Sequence, residues 1–321
     1  MTIRSLRNTA GALLFTLGVV NAAQAQTECP AEANSGYRPT KFTRPFRDDG
    51  TWCKRSDTYW KTYPATEKTH CSETPQSPIN LKPSNERNDQ AISLFYRVSP
   101  APVDSVVSVN NGHTVELLLN PEDYAAEGKA KKTPAPPDGV PAAPPERAIE
   151  FGGKRYVLDN LHFHHPSEHL LNGERFPMEL HIVHKAGTSA AVIAIFIRNE
   201  GGKNDILDAV FNAMEKTKSK NDKQRVSFDG VALMKLLPPL SYMRYEGSLT
   251  TPGCDTGVTW LVLNQSITAS NEQIAKFKEA IRAPLGFPTT ENYPTNARPL
   301  QVDQPVKKST VVKIIKNQSG Y

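Results

Sequence analysis

The chain has 321 residues, 22% of them charged, and a formal net charge of +5. That balance is too mild to mark a nucleic-acid or membrane-surface binder, and the basic residues are not interleaved with aromatics. Beyond the first 25 residues, no stretch approaches the roughly 20 apolar residues that a membrane span needs.

The first 25 residues carry Arg4 and Arg7, an apolar run from Gly11 to Val20, and Ala23-Gln24-Ala25. This is the order of a secretory signal peptide cleaved near Ala25, so a periplasmic or secreted protein is expected. Its removal lowers the formal charge from +5 to +3. What remains suffices for one large domain or two small ones. Cys29, Cys53, Cys71 and Cys254 all lie beyond the leader. An even number in an exported chain favours disulfides, and the spacing alone leaves three pairings open.

Residues 26–50 are polar and aperiodic, and read as an N-terminal extension to a domain over 51–310. Short β-type segments follow, "ISLFYRV" from Ile92 and "HTVELLL" from His113, each bounded by Pro, Asn or Gly. Residues 129–146 then interrupt the pattern, with six prolines between Thr133 and Pro145. Because β-type segments resume at Ala148, this stretch reads as a loop inserted in one domain. "AIEF", "KRYVLDNLHFHH", "PMELHIVHKA" and "AAVIAIFIR" come next. The last is almost wholly apolar and β-branched, as in a strand covered on both faces.

Two helices are predicted. "NDILDAVFNAMEKTK" places Ile206, Leu207, Val210, Phe211 and Met214 on one face. Ser270 with Gln273 forms a capping-box start for a second helix, which Pro284 stops. Residues 311–321 read as a C-terminal tail. The fold class is mainly β (α+β), with a few short helices at the periphery.

Four of the eight histidines lie in "LHFHHPSEH" at 161–169, and His181 and His184 follow in "MELHIVH". Strand residues two apart share a face. His162 and His164 therefore point together with Asn160. In the next strand Glu179, His181 and Val183 share one face while His184 takes the other. If the two strands are neighbours, His162, His164 and His181 converge. Three neutral imidazoles leave zinc an open fourth position, the mark of a catalytic site. Glu179 and Asn160 are placed to hold the outer ring nitrogens of His181 and His162 and so fix their tautomers.

Residues outside the histidine cluster sharpen this. "QSPIN" at 76–80, "NNGHTVELLL" from Asn110, "LHFHHPSEH" with "MELHIVH", "YEGSLTTPGC" at 245–254 followed by Trp260, and "NARPLQ" at 296–301 together resemble the α-class carbonic anhydrases in their bacterial, exported form. The resemblance runs over most of the mature chain. It implies a large, central, twisted and mostly antiparallel sheet. It implies a Zn2+ enzyme that interconverts carbon dioxide and bicarbonate, a small-molecule reaction needing neither nucleic acid nor membrane, as a monomer or homodimer.

On the family's pattern the zinc ligands are His162, His164 and His181, and zinc-bound hydroxide attacks carbon dioxide. Thr250 accepts from the hydroxide and donates to Glu168, which aims the attack. Carbon dioxide sits against Val183, Val192, Leu249, Thr251, Val258 and Trp260. His113 shuttles the proton to solvent, a task suited to an imidazole near its ordinary pKa of about 6.5. His169 is implied to hydrogen-bond around Tyr245, His184 to pack, and His165 to take a structural or surface role; His70 has none assigned. The resemblance also implies a Cys71–Cys254 disulfide bracing the loop of Thr250, with Cys29–Cys53 as the remaining pair.

Three departures from the family concern proton transfer and zinc geometry. Trp52 is not followed by the usual tyrosine, Glu116 stands where an amide is usual, and Asn160 replaces a longer glutamine. Two rival classes are a cupin, in which Glu168 would be a metal ligand, and a non-enzymatic binding or storage protein on the same fold. The first lacks the glycines a cupin expects, having Tyr156 and Arg175 there. The second is opposed by the presence of all three histidines with Thr250 and Glu168.

Overall fold

The computed structural model describes residues 70–82, 91–96, 106–118, 147–200, 202–226, 228, 230–238, 241–286, 294–301 and 306–308. The signal peptide, the 26–50 extension, Trp52, the Cys29–Cys53 pair, the 129–146 insert and the 311–321 tail lie outside the described residues.

Fifteen strands are described: β1 (Asn80–Leu81), β2 (Ser93–Tyr96), β3 (Val106–Asn110), β4 (Val115–Leu118), β5 (Arg147–Phe151), β6 (Lys154–His164), β7 (Leu170–Leu171), β8 (Glu174–Arg175), β9 (Met178–Ala186), β10 (Ser189–Arg198), β11 (Lys223–Val226), β12 (Tyr242–Ser248), β13 (Thr256–Leu263), β14 (Ile267–Thr268) and β15 (Lys307–Lys308). With them are three helices, α1 (Asp205–Met214), α2 (Gly230–Leu236) and α3 (Asn271–Arg282). Twelve strands form one sheet, ordered β11-β3-β4-β6-β9-β10-β13-β12-β15, with β5, β2 and β14 pairing beside that path; β1, β7 and β8 form a small second sheet. The large sheet is antiparallel except where β10 runs parallel to β13 and β14. The expected mainly-β architecture with peripheral helices is thus present.

Side-chain alternation divides the sheet into two faces. One carries Leu161 and Phe163 of β6, Leu180 and Ile182 of β9, Ile193 and Ile195 of β10, and Leu261 of β13, and the helices cover it. The other carries Val183, Val192, Val258, Trp260 and Tyr245 as a separate apolar cluster. Both faces of β10 are buried from Ala190 to Ile197, as its continuous apolar run predicts.

Helix α1 buries Leu207, Val210, Phe211 and Met214, while Ile206 is only partly covered. Ser270 caps α3 with the full reciprocal bond to Gln273, and the helix ends at Arg282, two residues before Pro284. Helix α2 and strands β3, β11 and β13 are not among the predicted elements. Tyr245–Ser248, the start of the "YEGSLTTPGC" block, finish β12, and the loop of Thr250 is 249–255 before β13. Gly247 cannot carry a side chain there, because a Cβ would collide with Ser77 Oγ. The disulfide Cys71–Cys254 is formed and ties this loop to the chain ahead of β1.

One irregularity decides where the histidines point. In β6, Leu158 pairs with His184 of β9, yet Asn160 pairs with Val183 and His162 with His181. Asp159 is an extra residue, a β-bulge, and it shifts the phase of the strand by one. Before it Tyr156 and Leu158 face the helix-covered core; after it Leu161 and Phe163 do. A one-residue slip exchanges the two faces of a strand. Without the bulge His162 and His164 would point into that core.

Candidate metal centre

Strand parity brings His162, His164 and His181 together. His162 and His181 are directly paired across β6 and β9. Ring centroids lie 5.0 Å apart for His162–His164, 5.2 Å for His162–His181 and 4.6 Å for His164–His181. One nitrogen from each lies within 4.8 Å of the others.

The outer nitrogens are held. Asn160 Oδ1 stands 2.8 Å from His162 Nδ1, so the shorter amide does reach its ring. Glu179 Oε1 stands 2.9 Å from His181 Nε2. The carbonyl of Asn296, in the "NARPLQ" block, lies 3.4 Å from His164 Nδ1. These contacts leave His162 Nε2, His164 Nε2 and His181 Nδ1 to face one another. His164 Nε2 is buried and has no hydrogen-bond partner, an arrangement that buried polar atoms seldom tolerate unless a ligand completes them. Burial lowers all three imidazoles below their ordinary value, so their lone pairs are available at neutral pH. Three neutral imidazole donors on rigid strands, each fixed from behind, suit zinc.

Glu179 is fully buried and serves two histidines. Its Oε1 also meets His169 Nδ1 at 2.7 Å, while Oε2 accepts from the His169 backbone N–H at 2.9 Å. Burial alone would raise this carboxyl, but His169 and His181 outweigh it and hold it well below the usual range. His169 Nε2 in turn lies 2.6 Å from the Tyr245 hydroxyl, as the resemblance implied, and that hydroxyl donates to Ser77 Oγ at 2.8 Å. The link from Glu179 to His169 is not legible in the sequence.

Glu168 lies beside the triad, its Oε1 3.4 Å from His164 Nδ1 and accepting the Arg298 backbone N–H at 2.7 Å. Burial pushes it up to about 8, against opposing pulls led by the Thr250 hydroxyl. Oε2 lies 4.0 Å from His181 Nδ1. Thr250 is buried at the start of the loop that the disulfide braces. The Arg298 guanidinium fastens the approaching segment, donating to Gln76 Oε1 at 2.7 Å and Ser77 O at 2.8 Å. The partners of Arg298 and Asn296 lie about 50 to 220 residues away in the chain, so these contacts cannot be read from local spacing.

Val183, Val192 and Trp260 form one row across β9, β10 and β13 on the same face as His181. The Trp260 ring centroid is 4.9 Å from that of His181. Val258 belongs to the same cluster and Leu249 packs on it partly buried. Thr251 is half-buried in the adjoining loop.

The other histidines separate as follows. His113 sits in a turn where Asn111 Oδ1 accepts from the backbone N–H of His113 and Thr114, both at 2.8 Å. Its ring is 6.0 Å from His164. An imidazole near 6.5 was expected; burial instead lowers it to about 4. His165 is buried, with Nδ1 2.8 Å from the Pro294 carbonyl, which settles its role as structural rather than surface. His184, on the opposite face, is stacked with Tyr96 and lies 2.6 Å from its hydroxyl. His70 is partly exposed beside Glu73 and Asp255. Glu116 pairs with His162 across β4 and β6, and accepts from Asn111 Nδ2 at 2.6 Å.

The family model for eukaryotic-type carbonic anhydrase matches residues 55–313. A carbonic anhydrase of Neisseria gonorrhoeae is 31% identical over 223 residues, covering 70% of this chain and 75% of that protein. Dioscorin DB3L of Dioscorea polystachya is 34% identical over 285 residues, covering 87% of this chain and 90% of that protein. Among solved structures, the α-carbonic anhydrase of Thermovibrio ammonificans in complex with sulfanilamide is similar with a TM-score of 0.57. It is 28% identical, over 76% of this chain and 91% of that one.

Proposed function

The chain belongs to the eukaryotic-type carbonic anhydrases, enzymes of reversible carbon dioxide hydration, and we propose that here the reaction runs on a zinc ion held by His162, His164 and His181. The observation that carries this is the convergence of three ring nitrogens, two of their rings fixed from behind by Asn160 and Glu179 at 2.8 and 2.9 Å. When bound there, zinc supplies Lewis acidity that makes hydroxide available at neutral pH, with ionisation near 7 in place of about 15.7.

The chain's own residues do the rest. The Thr250 hydroxyl donates its hydrogen bond to Glu168, so the threonine oxygen turns its lone pairs toward the reacting water and orients it. Carbon dioxide is linear and apolar, so it needs an apolar wall rather than polar anchors. Val183, Val192, Val258 and Trp260, with Leu249 and Thr251 at the rim, supply that wall beside His181. Glu179 holds the His181 ring in the orientation that presents Nδ1.

His113 relays the proton outward. Burial lowers its pKa to about 4 and so makes it a weak base for that task. The Cys71–Cys254 disulfide supports export of the chain to an oxidising compartment. Among the described residues no helix is long and apolar enough to cross a membrane.

Treatment with a zinc chelator, followed by measurement of carbon dioxide hydration before and after zinc is restored, tests the proposal. Activity should vanish and return. Full activity in protein shown to be metal-free would end it.

A further inference from the structure

The bulge that aims the histidines also places a carboxylate where a regular strand would not. Neighbouring residues of a strand point to opposite faces, yet Asp159 Oδ2 accepts a hydrogen bond from Asn160 Nδ2 at 2.8 Å. The extra residue at the register shift allows it. Asp159 is held in turn by Lys185 of β9, whose Nζ lies 3.0 Å from the same oxygen. A continuous path therefore runs from Lys185 through Asp159 and the Asn160 amide to His162 Nδ1, 2.8 Å from Asn160 Oδ1.

An amide can turn either end toward an imidazole. If Oδ1 faces Nδ1, the ring carries its proton there and Nε2 keeps a lone pair for the metal. If the NH2 end faces Nδ1, that nitrogen becomes the acceptor, the proton moves to Nε2, and the ring cannot ligate from its inward side. Nothing on His162 itself selects between the two. A carboxylate that binds the NH2 end does, because it repels the carbonyl oxygen and attracts the amide hydrogens.

We propose that Asp159 is a positioning residue that locks the Asn160 amide and thereby the His162 tautomer that can hold the metal. This rests on the zinc reading above, but it concerns a residue that touches neither metal nor substrate. The bulge supplies the carboxylate that orients the Asn160 amide.

The test has two readouts. In metal-free protein, nitrogen NMR of the imidazoles reports the His162 tautomer: Nδ1–H in the parent, a mixture of both forms in Asp159→Ala, and an intermediate position in Asp159→Asn, which keeps an acceptor oxygen. In zinc-loaded protein, transfer of zinc to an excess of chelator should be about tenfold faster in Asp159→Ala, the lower end of the range for outer partners of a metal ligand. Combining Asp159→Ala with Asn160→Ala should add nothing to Asn160→Ala alone. An unchanged His162 tautomer in Asp159→Ala, or an effect of Asp159→Ala that persists undiminished without Asn160, overturns the inference. Absence of bound zinc in the parent protein would instead overturn the zinc reading, and the tautomer measurement would still decide the role of Asp159.

Discussion

Replacing Glu179 by glutamine should weaken both the fold and the metal centre, with a signature in pH. The carboxylate accepts three hydrogen bonds, from the His169 backbone N–H at 2.9 Å, His169 Nδ1 at 2.7 Å and His181 Nε2 at 2.9 Å. It has no exposed surface, so water cannot replace a lost partner. Glutamine offers one acceptor oxygen. If that oxygen keeps the two ring contacts, each falls from a charge-assisted bond to a neutral one, a loss of about 1 kcal/mol each. The new NH2 group then confronts the His169 backbone N–H, and a buried donor left unsatisfied costs about 1–3 kcal/mol. The total is about 3–5 kcal/mol at pH 7, with zinc affinity lowered about 10- to 100-fold.

Because Glu179 is held below its ordinary value in the fold, its contribution is present above the unfolded pKa of about 4.3 and is lost as pH falls below it. Denaturant unfolding of the metal-free protein and of Glu179→Gln should therefore differ by that amount at neutral pH, and the gap should begin to shrink as pH falls below about 4 and go on shrinking in stronger acid. A gap under about 1 kcal/mol at pH 7, or one that does not shrink in acid, would refute the reasoning.

Four further outcomes are expected. Tyr96→Phe leaves His184 Nε2 without its 2.6 Å partner and should cost about 1–3 kcal/mol by thermal or denaturant unfolding. Hydration should be unchanged, because His184 faces away from the triad. At saturating carbon dioxide, added imidazole buffer should raise turnover severalfold, since a buried His113 near 4 is a poor relay; no response to buffer would show another exit. Glu116→Gln removes a carboxylate paired across the strands with His162, and should lower the midpoint of the pH–rate curve by up to about one unit. Reduction of Cys71–Cys254, which closes a sequence separation of 183, should cost up to about 5 kcal/mol in the chain-entropy model. It should also loosen the loop of Thr250, read as a fall in hydration rate ahead of global unfolding.

The sheet and its metal face were legible because alternation is a local property. His162, His164 and His181 could be assigned to one face from spacing within β6 and β9, and Glu179 and Asn160 came with them. The bulge left a trace too: core positions run Tyr156, Leu158, then Leu161 and Phe163, a phase break at Asp159. What this break does to the Asn160 amide needs three dimensions. The burial of His113 was not legible, because "NNGHT" reads as an exposed turn while its surroundings come from other strands. The same holds for Tyr96 with His184, for His169 with Glu179, and for Asn296 and Arg298 behind the histidines. These are contacts between segments with no shared period. Helix α2 went unread because it is short, at seven residues, and owes its structure to what it packs against.

The most direct test of the zinc mechanism is stopped-flow carbon dioxide hydration on metal-analysed protein, with His181→Ala beside the parent. One zinc per chain with hydration in the parent, and loss of both in His181→Ala, is the predicted result. Stoichiometric zinc without hydration, or hydration undiminished in His181→Ala, would contradict it.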